Sequence, residues 1–220
     1  MTDPAPRPAN AGGFIIAASL LLGTIIGAPL GIFLATSRRG ELLSAPVLNA
    51  VLGLIVNAAR STPFIILVVA IIPLTRLLAG TSIGTTAAIV PLTIAAAPFI
   101  ARLIETAIRE IDAGLIEAAR AMGATPMQIV RKVLIPEAMP GIILGLTLAV
   151  VSLIGYSAMV GAVGGEGLGD LGIRYGYQRF MPEVMLAVVV ILIVLVQAVQ
   201  SLGEWIASRF DKRAPRNRGR

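Results

Sequence analysis

Residues 8–37 carry no charged side chain. About 20 consecutive apolar residues suffice to carry a helix across a hydrocarbon core of about 30 Å. Uncharged runs recur at 77–101, 138–165 and 184–203, with a shorter one at 61–75. Only 14% of the residues are charged and 56% are hydrophobic, against about 25% charged in a typical soluble domain. The expected fold is therefore all-α and polytopic, an integral membrane protein.

The chain has neither cysteine nor histidine. Disulfides, thiolate chemistry, a Ser/His relay and most transition-metal sites lack their ligands or bases, and no metal site is expected. The net charge of +6 is not arranged as a basic stripe interleaved with aromatics, which make up 5% of residues, so nucleic acid is not an expected partner. The amino-terminal segment is Pro-rich and nearly neutral, and the apolar run behind it exceeds the 7–15 residues of a signal-peptide core. The first span is expected to stay in the protein.

The spacing predicts five transmembrane helices, at about 13–36, 58–78, 82–103, 138–160 and 183–206. Residues 42–59 are uncharged but contain Pro46, Asn49 and Asn57, and read as an interfacial segment leading into the second span. With the amino terminus outside and the carboxyl terminus in the cytoplasm, 14 of the 18 basic residues lie inside, which satisfies the positive-inside bias. Only Arg7, Arg76, Arg174 and Arg179 remain outside. The organisation is then an extracytoplasmic tail (1–12), one transmembrane domain (13–207) with a cytoplasmic loop at 105–137, and a basic cytoplasmic tail (208–220).

No ionisable residue is expected at the centre of a span. A charge there costs roughly 2.5–3.5 kcal/mol on insertion scales, so an ion-coupled carrier usually retains one for its mechanism. The driving force is accordingly expected from outside the bilayer. Pro29, Pro63, Pro73, Pro91 and Pro98 fall in the first three spans and read as local bends. Gly23, Gly27 and Gly31 recur every fourth residue in span one, so one helical face is bare enough for another helix to approach. Gly141 and Gly145 repeat the spacing in span four.

The 105–137 loop has helical punctuation. Asp112 is placed to cap a first short helix, Leu115, Ala118, Ala119 and Met122 share an apolar face, and Gly123 sits at the left-handed C′ position. Thr125, Pro126 and Gln128 read as N-cap, N1 and N3 of a second helix with a capping box, which Pro136 ends. The pair suits either a soluble partner or a connector lying on the bilayer.

Glu117-Ala118-Ala119, three residues, Gly123, nine residues and Val133-Leu134-Ile135-Pro136 resemble the EAA loop of bacterial ABC importer permeases. Val133 and Ile135 depart conservatively from the family's isoleucine and leucine. Residues 57–74, 81–102, 114–141 and 155–179 are similar, more particularly, to the methionine importer permeases. The Pro-rich start and Glu166 depart from that pattern. The resemblance implies a type I ABC importer permease fold, working as a homodimer in the bacterial inner membrane. It implies docking of each loop, through Glu117, Ala118, Ala119, Gly123 and Pro136, on one of two copies of a cytoplasmic ABC ATPase that binds ATP and magnesium. An extracytoplasmic substrate-binding lipoprotein would deliver methionine, in its D or L form, and Tyr156, Ser157 and Met159 would face the translocation pathway.

Two rival classes are an ion-coupled secondary transporter or channel and a membrane-embedded enzyme. The first lacks a visible intramembrane charge, and the second lacks a paired acid, base or nucleophile. Gly167-Leu168-Gly169-Asp170-Leu171-Gly172 spells G-x-G-x-x-G but follows a span rather than a strand, so it reads as an outer loop. No P-loop motif is present, so ATP hydrolysis is expected in a separate polypeptide.

Overall fold

In the computed structural model, residues 11–38, 42–82, 84–162 and 167–211 are described. Most of the expected tails, at 1–10 and 212–220, and Glu166 lie outside them. The described residues form helices: α1 (Ala11–Thr36), α2 (Pro46–Ser61), α3 (Phe64–Ala70), α4 (Ile72–Ala79), α5 (Thr85–Arg109), α6 (Ala113–Ala121), α7 (Pro126–Ile129), α8 (Ile135–Ala162), α9 (Leu168–Leu171) and α10 (Pro182–Phe210). Wider π-helical turns cover Val130–Leu134 and Gly172–Tyr177.

Four continuous helical stretches are long and apolar enough to cross a membrane, and the bent pair α2–α3 makes a fifth if counted as one span. The expected continuous helix at 58–78 is corrected. α2 begins at Pro46, and the chain turns by 103° between α2 and α3. Pro63 causes the turn: its ring crowds the preceding residue out of helical space, and Thr62 sits at φ −81°, ψ 124°. Ile71 breaks the chain again two residues before Pro73. Pro29, Pro91 and Pro98 instead remain inside α1 and α5.

The expected stop at Pro136 is also corrected. A helix runs from Pro126 to Val160, through Pro136 and Pro140. The π turn at Val130–Leu134 lies one turn ahead of Pro136, where its missing N–H and ring would disturb a regular ladder. The second loop helix is thus continuous with the fourth span. The stretch after α8 is helical too, α9 packing so closely on α8 that a side chain at Gly169 would meet the Ala158 backbone.

α5 is the central helix. Leu92, Ile100 and Ala101 have essentially no exposed surface. On α1, Ile15, Ser19, Gly23, Gly27, Gly31 and Ala35 form one buried stripe at four-residue spacing. A Cβ on Gly27 would lie 2.5 Å from the Ala97 carbonyl oxygen, and one on Gly31 would meet that of Ala101. Gly141 and Gly145 of α8 approach α5 from another side, with built Cβ positions 3.0 Å from Ala107 and 3.1 Å from Leu103. α10 is peripheral, joined to α8 where Gly203 faces Thr147.

Candidate functional site

Two regions carry the candidate residues: the α6–α7 element, and a cavity at the α2–α3 break.

Asp112 caps α6 by accepting the Gly114 N–H at 2.6 Å. α6 ends in a Schellman arrangement: the Gly123 N–H donates to the Arg120 carbonyl at 2.9 Å, and the Ala124 N–H donates to that of Ala119 at 3.1 Å. This geometry requires the left-handed region, and Gly123 has φ +78°. Thr125 and Gln128 form the reciprocal capping box on the far side of the turn. Both helices are therefore held in register by local bonds that need no partner.

Of the expected apolar face, only Ala119 is buried, and Ile116 beside it is half-buried. Leu115 and Ala118 are exposed, and Met122 is 82% exposed, so most of that face points away from the rest of the chain. Helical spacing identified the stripe, but which edge packs inward depends on the angle at which α6 meets α5. Glu117 is exposed, and Pro136 is half-buried in the continuous helix.

Behind this element, the end of α5 holds a buried carboxylate. Glu105 was expected in the loop, but α5 runs on to Arg109 and the Glu105 side chain is only 3% exposed. It pairs with Arg109 at 2.7 Å and, on its other oxygen, with Arg102. Arg38 stands 3.9 Å away. Arg109 also donates to the Leu34 carbonyl at 3.1 Å, which Asn49 of α2 reaches at 2.8 Å. Arg102 donates to Asn57 at 2.7 Å. The last carbonyls of α1 are thereby satisfied by side chains, and α2 is clamped by Asn49 to α1 and by Asn57 to α5.

Glu105→Gln should destabilise the purified assembly by about 2–3 kcal/mol. That is below the 3–5 kcal/mol for breaking a fully buried pair, because the arginines are partly exposed. Thermal unfolding in detergent measures it, and an unchanged midpoint would refute the clamp.

Glu105 and Arg102 lie near the carboxyl end of α5, and Arg60 of α2 packs further back along that helix. Its guanidinium carbon is 5.8 Å from the centroid of Phe99. Phe99 lies 14 residues from the start of α5 and ten from its end, about 21 and 15 Å along the axis. The approach of Arg60 to Phe99 was not legible in the sequence, because the break after α2 was not.

Beside Arg60, a cavity of about 130 Å³ is lined by Thr62, Phe64, Phe99 and Tyr156 among others. The Tyr156 and Phe64 rings stack with centroids 4.4 Å apart and planes within 13°. Tyr156 therefore faces the cavity, while Ser157 is half-buried and Met159 is 49% exposed. Sequence reasoning missed Arg60, Phe64 and Phe99. An arginine three residues before an intramembrane proline was the available signal.

Apolar crossing helices around one central helix, a broken span and a capped surface element define a polytopic membrane permease. Residues 27–213 match the family described as binding-protein-dependent transport system inner membrane component, and the chain belongs to that family. It is 54% identical over 200 residues to a probable D-methionine transport system permease protein MetI of Vibrio cholerae, covering 91% of this chain and 89% of the relative. Over 139 residues it is 58% identical to the D-methionine transport system permease protein MetI of Escherichia coli, covering 63% and 64%. A solved structure of inward-facing MetNI methionine ABC transporter matches with a TM-score of 0.90 at 48% identity, over 96% of this chain and all of that one. A second, of an amino acid ABC transporter with histidines, has a TM-score of 0.74 at 22% identity over 90% of each chain, and shows the fold alone. The fold is that of type I ABC importer permeases.

Proposed function

We propose that this chain is the permease subunit of an ATP-driven importer for methionine. It works as a homodimer with two copies of a separate cytoplasmic ABC ATPase and an extracytoplasmic binding lipoprotein, and hydrolyses no ATP itself. The observation that carries the reading is the α6–α7 element. It is locally capped, continuous through α8 with the membrane, and presents Glu117, Ala118, Leu115 and Met122 outward. A push on α7 would be transmitted along α8 toward Tyr156, because the helix between them is continuous. Relatives named for methionine transport supply the substrate.

Vesicles reconstituted with the permease, the ATPase and the binding protein should accumulate methionine only when ATP is supplied on the ATPase side. Accumulation driven by a proton or sodium gradient without ATP would return the secondary-transporter reading.

The subunit lies in the bacterial inner membrane with its amino terminus outside and its carboxyl terminus in the cytoplasm, supported by the 14 to 4 split of basic residues. Single cysteines at Asp3 and Arg216 of this Cys-free chain test it. Labelling of the second, but not the first, by an impermeant reagent on intact cells would reverse the orientation.

A further inference from the structure

The cavity at the α2–α3 break has an electrostatic character that transport by rocking alone does not require. Arg60 makes no ion pair among the described residues, and no Asp or Glu lines the cavity. Arg102 and Arg109 further along α5 each pair with Glu105, whereas Arg60 has no carboxylate partner among the described residues. A guanidinium without an ion pair beside an apolar cavity is poorly compensated. Its one defined contact is the face of Phe99, a weak interaction that an anion would outcompete.

We propose that Arg60 is the receptor for the α-carboxylate of an amino acid in transit. The cavity is a binding subsite for zwitterionic amino acids with an apolar side chain. This rests on the transport reading above. A guanidinium offers two parallel N–H donors to a carboxylate, and the pairing is strong where water is scarce. The Thr62 hydroxyl donates to the Ala58 carbonyl at 3.2 Å, so its oxygen can still accept from an ammonium group. The stacked Phe64–Tyr156 pair and Phe99 supply the apolar wall, and aromatic rings make favourable contacts with a thioether. Arg60 and Thr62 are exposed on the single chain while Phe64 is buried, so the polar end of the cavity opens outward and its aromatic end is closed. An amino acid would enter side chain first and be held by its head group.

The absence of cysteine allows a direct test. Ala95 also lines the cavity, and Ala95→Cys places the only thiol of the permease there. The rate of its alkylation by a small maleimide is measured in the purified permease–ATPase assembly, without the binding protein. Saturating L-methionine should slow alkylation at least fivefold. Methioninol, which has the same side chain and an alcohol in place of the carboxylate, should leave the rate unchanged. Adding Arg60→Gln should abolish protection by methionine, and Arg60→Lys should keep part of it.

Equal protection by methionine and methioninol, or protection that survives Arg60→Gln, would overturn the assignment. So would a failure of methionine to protect the Ala95→Cys assembly. Should Arg60→Gln not assemble, the methionine and methioninol comparison on native Arg60 still decides. ATP-dependent methionine uptake by the unmodified assembly is scored separately: uptake without carboxylate-dependent protection rejects the subsite and leaves the transport reading standing.

Discussion

Gly27→Leu should abolish recovery of the folded permease. A Cβ at this position would stand 2.5 Å from the Ala97 carbonyl oxygen and 3.1 Å from the Ile100 side chain. Overpacking a core that can yield costs about 1–3 kcal/mol, but here the obstacle is backbone on a helix that is itself the centre of the fold. Relief would require α1 to move away from α5 along its whole length, breaking the seam formed by Gly23, Gly31 and Ala35 as well. The expected cost is therefore above about 3 kcal/mol, and even Gly27→Ala should be strongly destabilising. Gly53 on α2 is the control, since nothing lies within 4 Å of a Cβ there. Gly53→Ala should be neutral or stabilising by up to about 1 kcal/mol through helix propensity. Yield and thermal midpoint of the solubilised assembly report both. Normal recovery of Gly27→Leu would mean that the α1–α5 contact is not what holds the bundle together.

Gly123→Val should leave insertion and yield intact while reducing ATP-dependent uptake at least tenfold. The residue sits at φ +78° with open space around a built Cβ, so the damage is conformational rather than steric within the chain. A left-handed residue with a side chain costs about 1–2 kcal/mol, and a branched Cβ raises that. The strained turn would lose the bonds to Arg120 and Ala119 and re-aim α6 against the partner. The substitutions should rank by their tolerance of left-handed backbone: Gly123→Asn mildest, Gly123→Ala intermediate, Gly123→Val worst. Glu117→Ala should reduce uptake less, removing one exposed charge from a helix that alanine favours. If Asn proved as damaging as Val, bulk at the partner surface would be the cause. Full uptake by Gly123→Val would remove the docking role from this element.

Which parts of this architecture were legible in the chain follows from the range over which each effect acts. Span number and helical class are readable because a helix satisfies its own backbone and lipid demands a fixed length of apolar sequence. Four of the five expected spans correspond to continuous helices. The caps at Asp112, Gly123 and Thr125 are equally local, since each bond closes within five residues. The glycine spacing on α1 marked a face, although only the structure names its partner as α5.

What the sequence determined by itself is thus what one helix or turn decides alone: five apolar segments, the caps of the two loop helices, and a family signature in the loop. Tertiary structure decided what depends on neighbours. Pro63 breaks the chain by 103° whereas Pro91 and Pro98 do not. Each lacks the same N–H, and only the packing around it determines whether helix or turn satisfies the remaining groups. Glu105 read as a loop charge, and Arg60 as a charge at the cytoplasmic start of the second span. One became a buried ion pair and the other a cation beside Phe99 halfway along α5, because the depth of a side chain is set by the tilt and bend of its helix against the central one, and residue types do not encode that angle.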